Sequence, residues 1–281
     1  MLRHRITVIA ARHDAPTLVL LPGWGFSSAV FSPLIEHLRD RSIMTLDLPG
    51  YGEERGTPAP RKKSGPRKRA NKVLAERAAG PGFVARRWRD VILSQLPPVC
   101  DLMGWSLGGQ VAMEIAATNP GRVRRLVLVA TTPCFVRRRG WNAGTPRAMF
   151  DEFNWRLAQD PIATLKNFLS RVARGDANER SVLRKLRVAA SRAAAPDVLA
   201  LRAGLDLLRD MDLRKQVPAI RVPTLVIHGT RDRVVPPAAG RWIARHIASA
   251  KFAALPDAAH APFLSDTATF IAAMTRFLAA A

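Results

Sequence analysis

The sequence predicts an α/β fold: a mostly parallel central sheet with helices on both faces and a helical lid inserted late in the chain. Three observations predict it. Short apolar runs suited to buried parallel strands alternate with helical patterns. A serine between glycines, in Gly104-Trp105-Ser106-Leu107-Gly108, joins one such run to one such helix. From about Phe135 to Pro218 the alternation stops and only helical stretches remain.

Taken in order, Ile6–Ala11 reads as a first strand: its apolar run is short and Arg12-His13-Asp14 follows at once, which excludes a signal peptide. Thr17–Leu21 and Ile43–Leu48 are the next strands, with the helical pattern Val30–Leu38 between them. Val99–Met103 runs into the serine, and the helix Leu107–Asn119 after it is stopped by Pro120. Such a strand turns so sharply into its helix that only glycines fit beside the serine, which leaves the hydroxyl exposed. Leu126–Ala130, Thr224–His228 and Lys251–Leu255 complete the strands, with helices at Ala238–Ala248 and Thr267–Leu278. The long interval carries helices at Met149–Gln159, Ile162–Arg174, Glu179–Ala194 and Asp197–Leu208. The predicted domains are a core of residues 1–134 and 219–281 and a helical lid of residues 135–218.

Composition narrows the class. A chain of 281 residues, 48% hydrophobic, can bury a full core as one domain carrying an inserted subdomain. Cys100 and Cys134 show no C-x-x-C spacing, so neither a disulfide framework nor a metal site is expected, and a reducing cytoplasm is. No apolar stretch approaches the roughly 20 residues of a membrane span. The net charge of +22 concentrates in residues 53–90 and 137–215. The first stretch, with Arg61-Lys62-Lys63 and Arg67-Lys68-Arg69, lacks apolar periodicity and reads as a flexible insertion. It is a surface loop without a role, a docking surface for an acidic partner, or, with neither interleaved aromatics nor a binding motif to favour it, a nucleic-acid contact. A shifted reading frame in a GC-rich gene would give the same composition.

A serine hydroxyl needs a base to take its proton, and the base needs an acid to orient it. In strand–serine–helix proteins of this kind the chain order is Ser, acid, His. His4, His13 and His37 precede Ser106, His228 ends a strand before the best acid, and His246 lies in a helical pattern. His260 remains, in a loop between the last strand and the last helix. Asp232, just beyond Thr224–His228, is the expected acid, with Asp257 the weaker rival. Two backbone N–H donors must meet the oxyanion. Leu107, after the serine, and Trp24, in Pro22-Gly23-Trp24-Gly25, are the candidates.

These residues resemble the α/β-hydrolases and, within them, the pimeloyl-[acyl-carrier protein] methyl ester esterases of biotin biosynthesis. The resemblance is carried by Gly23-Trp24-Gly25, Asp47-Leu48-Pro49-Gly50-Tyr51-Gly52, Gly104-Trp105-Ser106-Leu107-Gly108-Gly109, Thr132-Pro133-Cys134-Phe135, Gly204-Leu205-Asp206-Leu207-Leu208 and Ala258-Ala259-His260-Ala261-Pro262-Phe263. It implies the α/β-hydrolase fold with the lid after the sixth strand, and a serine carboxylesterase that releases methanol through an acyl-enzyme on Ser106, without metal or cofactor. Trp24, Ser106, Leu107, Phe168, Leu169, Ser170, Arg171, Val172 and His260 would then touch substrate. The partner would be an acidic acyl-carrier protein, met by Arg137, Arg138, Arg139, Arg156, Arg171 and Arg174. A monomer in the cytoplasm, without membrane or nucleic acid, is expected. Pro22 stands where the family usually has His, and Glu53-Glu54 where it has Ser; both departures bear on substrate fit more than on catalysis. A general short-chain carboxylesterase or thioesterase, and a basic binding protein on an inert scaffold, are the alternatives.

Overall fold

The computed structural model describes residues 5–7, 15–38, 41–51, 88–192 and 196–279. Seven strands form its sheet: β1 (Arg5–Thr7), β2 (Leu18–Leu21), β3 (Ile43–Thr45), β4 (Cys100–Trp105), β5 (Val123–Val129), β6 (Thr224–Gly229) and β7 (Ala250–Leu255). They lie in the order β1-β3-β2-β4-β5-β6-β7, with β1 antiparallel to β3 and every other pairing parallel.

Because side chains alternate along a strand, the two faces feed two separate cores. On one face Val19, Leu21, Leu102, Leu126 and Val226 pack with the first long helix and with Ile243 and Ile247. On the other, Leu18, Leu20, Met103, Val127 and Ile227 pack with Phe31, Phe263, Phe270 and Phe277. Burying each such side chain stabilises the fold by roughly 1.5–3 kcal/mol.

The helices are α1 (Ser32–Ile35), α2 (residues 88–93), α3 (Leu107–Thr118), α4 (Arg147–Gln159), α5 (Pro161–Ala173), α6 (Glu179–Ser191), α7 (Val198–Asp210), α8 (Pro237–His246), α9 (Pro262–Ser265) and α10 (Thr267–Ala279). Helices α4 to α7 fill the interval between β5 and β6, and β5 is the fifth, not the sixth, strand in chain order among the described residues. Two of the four start on a capping aspartate: Asp160 accepts from the N–H of Ala163 at 2.9 Å and Asp197 from that of Leu199 at 2.7 Å. Residues 52–87 of the basic stretch lie outside the described residues. Trp88, at the start of α2, packs edge-on to Tyr51 with ring centroids 5.8 Å apart.

Strand β5 begins three residues earlier than the apolar run suggests, because its first turn of sequence carries Arg124 and Arg125. Arg124 and Arg41 both reach Asp101 Oδ2 at 2.6 Å, and Asp101 is fully buried at the start of β4. This ion cluster holds the end of the sheet opposite to Ser106. Helix α1 is shorter than Val30–Leu38 predicts, since Ser28–Phe31 form a 3-10 turn ahead of it. Among the described residues no helix is long and apolar enough to cross a membrane.

Candidate active site

Strand β4 ends at Trp105 and helix α3 starts at Leu107, so the whole turn falls on Ser106, which has φ 54° and ψ −117°. A non-glycine residue is held there only when its surroundings demand it. The demand is visible: Ser106 N–H donates to Val129 O at 2.9 Å, and Thr131 Oγ donates to Ser106 O at 2.7 Å. Gly108 must be glycine, since a Cβ there would lie 2.5 Å from the carbonyl oxygens of Leu21 and Pro22.

The loop after β2 therefore sits directly on the turn. A Cβ on Gly23 would come 3.1 Å from Ser106 Cβ. Trp24 next to it is anchored by its indole N–H, which donates to Leu201 O on α7 at 2.8 Å. The peptide N–H groups of Trp24 and Leu107, the two expected oxyanion donors, thus belong to segments packed on either side of Ser106.

Ser106 Oγ lies 3.0 Å from His260 Nε2, and His260 Nδ1 lies 2.8 Å from Asp232 Oδ2. All three side chains are buried. Asp232 Oδ1 accepts the N–H groups of Val234 at 2.8 Å and Val235 at 2.9 Å. Burial by itself raises the Asp232 carboxyl, but the charge of His260 and hydrogen bonding from His228 and His260 outweigh it and hold the group well below the usual carboxylate range. Asp257 points elsewhere, into a 2.6 Å ion pair with Arg231. The resulting relay can move a proton from the serine hydroxyl to a ring whose tautomer the carboxylate sets.

Ser106 opens into a pocket walled by Trp24, Phe135, Phe150, Phe153, Phe168 and Leu205, with Arg171 as its charged lining residue. Phe168 and Arg171 of the predicted contact stretch reach this pocket. Leu169 packs into the core on the other side, Ser170 Oγ turns back to Lys166 O at 3.5 Å, and Val172 is buried with its carbonyl accepting from His260 N–H at 3.3 Å. Sequence reasoning missed Phe150, Phe153, Leu205 and Leu208 as lining residues. Their i, i+3 spacing on α4 and α7 is a signal that could have found them.

A model of the alpha/beta hydrolase family matches residues 18–273. The chain belongs to that family. Alpha/beta hydrolases of similar sequence include the pimeloyl-[acyl-carrier protein] methyl ester esterase of Aromatoleum aromaticum, 38% identical over 90% of this chain and 94% of that protein. The protein of the same description from Nitrosospira multiformis is 35% identical over 94% of this chain and 95% of its own. Among solved alpha/beta hydrolase structures, the enol-lactonase of Burkholderia xenovorans superposes with a TM-score of 0.77 over 99% of this chain and 96% of the other at 23% identity, which shows the shared fold. This alpha/beta hydrolase is a carboxylic ester hydrolase.

Proposed function

We propose that the enzyme hydrolyses the methyl ester of pimeloyl-[acyl-carrier protein] to pimeloyl-[acyl-carrier protein] and methanol, the step its relatives are named for. The observation that carries the reading is the Ser106–His260–Asp232 relay opening on a mainly apolar pocket.

In the first half-reaction Ser106 Oγ attacks the ester carbonyl while His260 Nε2 takes the hydroxyl proton. The tetrahedral oxyanion is met by the N–H groups of Trp24 and Leu107, and collapse expels methoxide, which leaves as methanol with the proton from His260. In the second, His260 takes a proton from water, the hydroxide attacks the acyl-enzyme carbonyl, and the acid is released as the proton returns to Ser106. The aromatic and aliphatic wall suits a chain of methylenes.

Residues 135–218 act as the lid over this pocket. Arg137, Arg138, Arg139, Arg156 and Arg174 are exposed and Arg171 is half-buried, so the lid presents positive charge to an acidic carrier. Three of these cations are partly engaged, Arg156 with Glu152 at 2.6 Å, Arg137 with Gly144 O at 3.0 Å and Arg138 with Arg209 O. In this reading the enzyme works as a cytoplasmic monomer.

The deciding experiment is rescue of a biotin auxotroph that lacks its own esterase, with Ser106→Ala as control. Growth with the intact gene and none with the variant is expected. Failure of the intact gene, with a p-nitrophenyl ester still hydrolysed by the purified protein, would leave a general carboxylesterase in its place.

A further inference from the structure

His228 is the penultimate residue of strand β6 and is fully buried, four residues before the acid of the proposed relay. Its Nε2 lies 3.0 Å from Val235 O and 3.2 Å from Asp232 Oδ2. Both neighbours are acceptors, so the ring hydrogen is on Nε2 and donates to Val235 O with Asp232 Oδ2 alongside. The opposite nitrogen, Nδ1, is buried without a partner, and it faces Gly240 on α8, where a Cβ would come within 2.5 Å of it.

The contacts make a closed ring around the acid. Val235 N–H donates to Oδ1 while Val235 C=O accepts from His228, and Oδ2 lies between His228 and His260. We propose that His228 is a positioning residue: it fixes the turn and rotamer of Asp232 and draws charge off Oδ2, and so sets how strongly the acid attracts the His260 proton. The proposal rests on the relay of the preceding section.

The other charged groups near the relay are already directed elsewhere. Arg231 pairs with Asp257 at 2.6 Å, and Arg233 lies against Gly175. Asp176 is held by three donors: the N–H of Ala259, the N–H of Asn178 and the Ser265 hydroxyl. Helix α8 turns Arg241, Arg245 and His246 outward, β7 does the same with Lys251, and Arg171 lies on the pocket wall. Only His228 shares Oδ2 with His260 among the described residues.

The test uses the full-length enzyme and a soluble p-nitrophenyl ester, with kcat/KM measured against pH and the downfield proton resonance of His260 Nδ1 followed by NMR. In His228→Phe the ring stays and the donor goes. Asp232 then pulls harder on the His260 proton, and the acid limb of kcat/KM should move to higher pH by about half a unit. The downfield resonance should shift, and kcat should fall on the order of tenfold with KM little changed. His228→Gln keeps an N–H at the Nε2 position and should restore the limb and most of kcat. Gly240→Ala, which pushes the ring from behind without touching the acid, should shift the same limb and carries the test if His228→Phe does not fold. An unmoved limb and resonance in His228→Phe, or in Gly240→Ala where Phe does not fold, would overturn the proposal, whatever happens to Tm. Equal activity of Ser106→Ala and wild type would instead overturn the relay itself.

Discussion

The carboxylate of Asp176, buried in the loop after α5, accepts the N–H of Ala259 at 2.8 Å. One residue later the main chain of His260 is held twice more, its N–H by Val172 O at 3.3 Å and its carbonyl by the Trp105 indole N–H at 2.8 Å. Helix α5 and the serine strand thus grip the peptide of His260 from both sides. Asp176 also accepts from the Ser265 hydroxyl at 2.7 Å and the Asn178 N–H at 2.8 Å, so Asp176→Ala strands one buried and two part-buried donors. We expect a loss of roughly 2–4 kcal/mol by denaturant unfolding, accompanied by a drop in kcat on a small soluble ester. A stability loss with kcat untouched would detach Asp176 from the His260 loop.

Ser106→Ala should leave the fold intact and remove ester hydrolysis by about three orders of magnitude or more, and His260→Ala should do nearly the same. The double variant should be no worse than either single one, because the two groups act as a unit. Steady-state rates on a p-nitrophenyl ester would show this, and additive losses would contradict the proposed relay.

The Asp232 carboxyl is held below its ordinary value in the folded enzyme. A depressed folded value means that the unfolded chain binds the proton more readily, so this group contributes stability above the unfolded carboxylate range near pH 4 and the contribution is lost as pH falls below it. Unfolding free energies of wild type and Asp232→Asn should therefore converge as pH drops from about 6 toward 3. Parallel curves over that window would refute the assignment.

Burial pushes the Cys100 thiol up to about 12, aided by the charge of Asp101, and raises that of Cys134 as well. Both should resist a thiol-specific reagent at pH 8 in the native enzyme and react fully in denaturant. Rapid labelling of either in the native state would count against their burial.

Asp101 lies fully buried between Arg41 and Arg124, far along β4 from the serine. Removing one partner of such a cluster leaves uncompensated charge, and Asp101→Ala should cost about 3–5 kcal/mol of stability. kcat of the remaining folded enzyme should be close to wild type, which separates this cluster from the relay.

Charge reversal at Arg174, which is exposed and outside the pocket lining, should weaken turnover of the carrier-bound ester while sparing a small soluble one. Equal loss on both substrates would argue against carrier docking on the lid.

Much of this architecture is legible in the chain because it is written in local periods. Alternating apolar runs marked the strands, 3.6-residue patterns marked the helices, and the glycines around Ser106 announced the turn that exposes it. Chain order then led to His260 and Asp232 by elimination. The same procedure dismissed His228 for its place before the acid, although its ring reaches Asp232 Oδ2. It also gave no role to Asp176, whose partner Ala259 is 83 residues away. Nor could it sort Phe168 and Arg171, which face the pocket, from Leu169 and Ser170, which do not, since that depends on how α5 rolls against the core. Sequence by itself determined roughly where the strands fall, the turn at Ser106 and the order of the candidate reacting groups, because those follow from backbone sterics and patterned hydrophobicity. Only the tertiary structure decided which side chains meet across the sheet and the helices between β5 and β6, because those contacts join segments with no shared period and are selected by packing of the whole molecule.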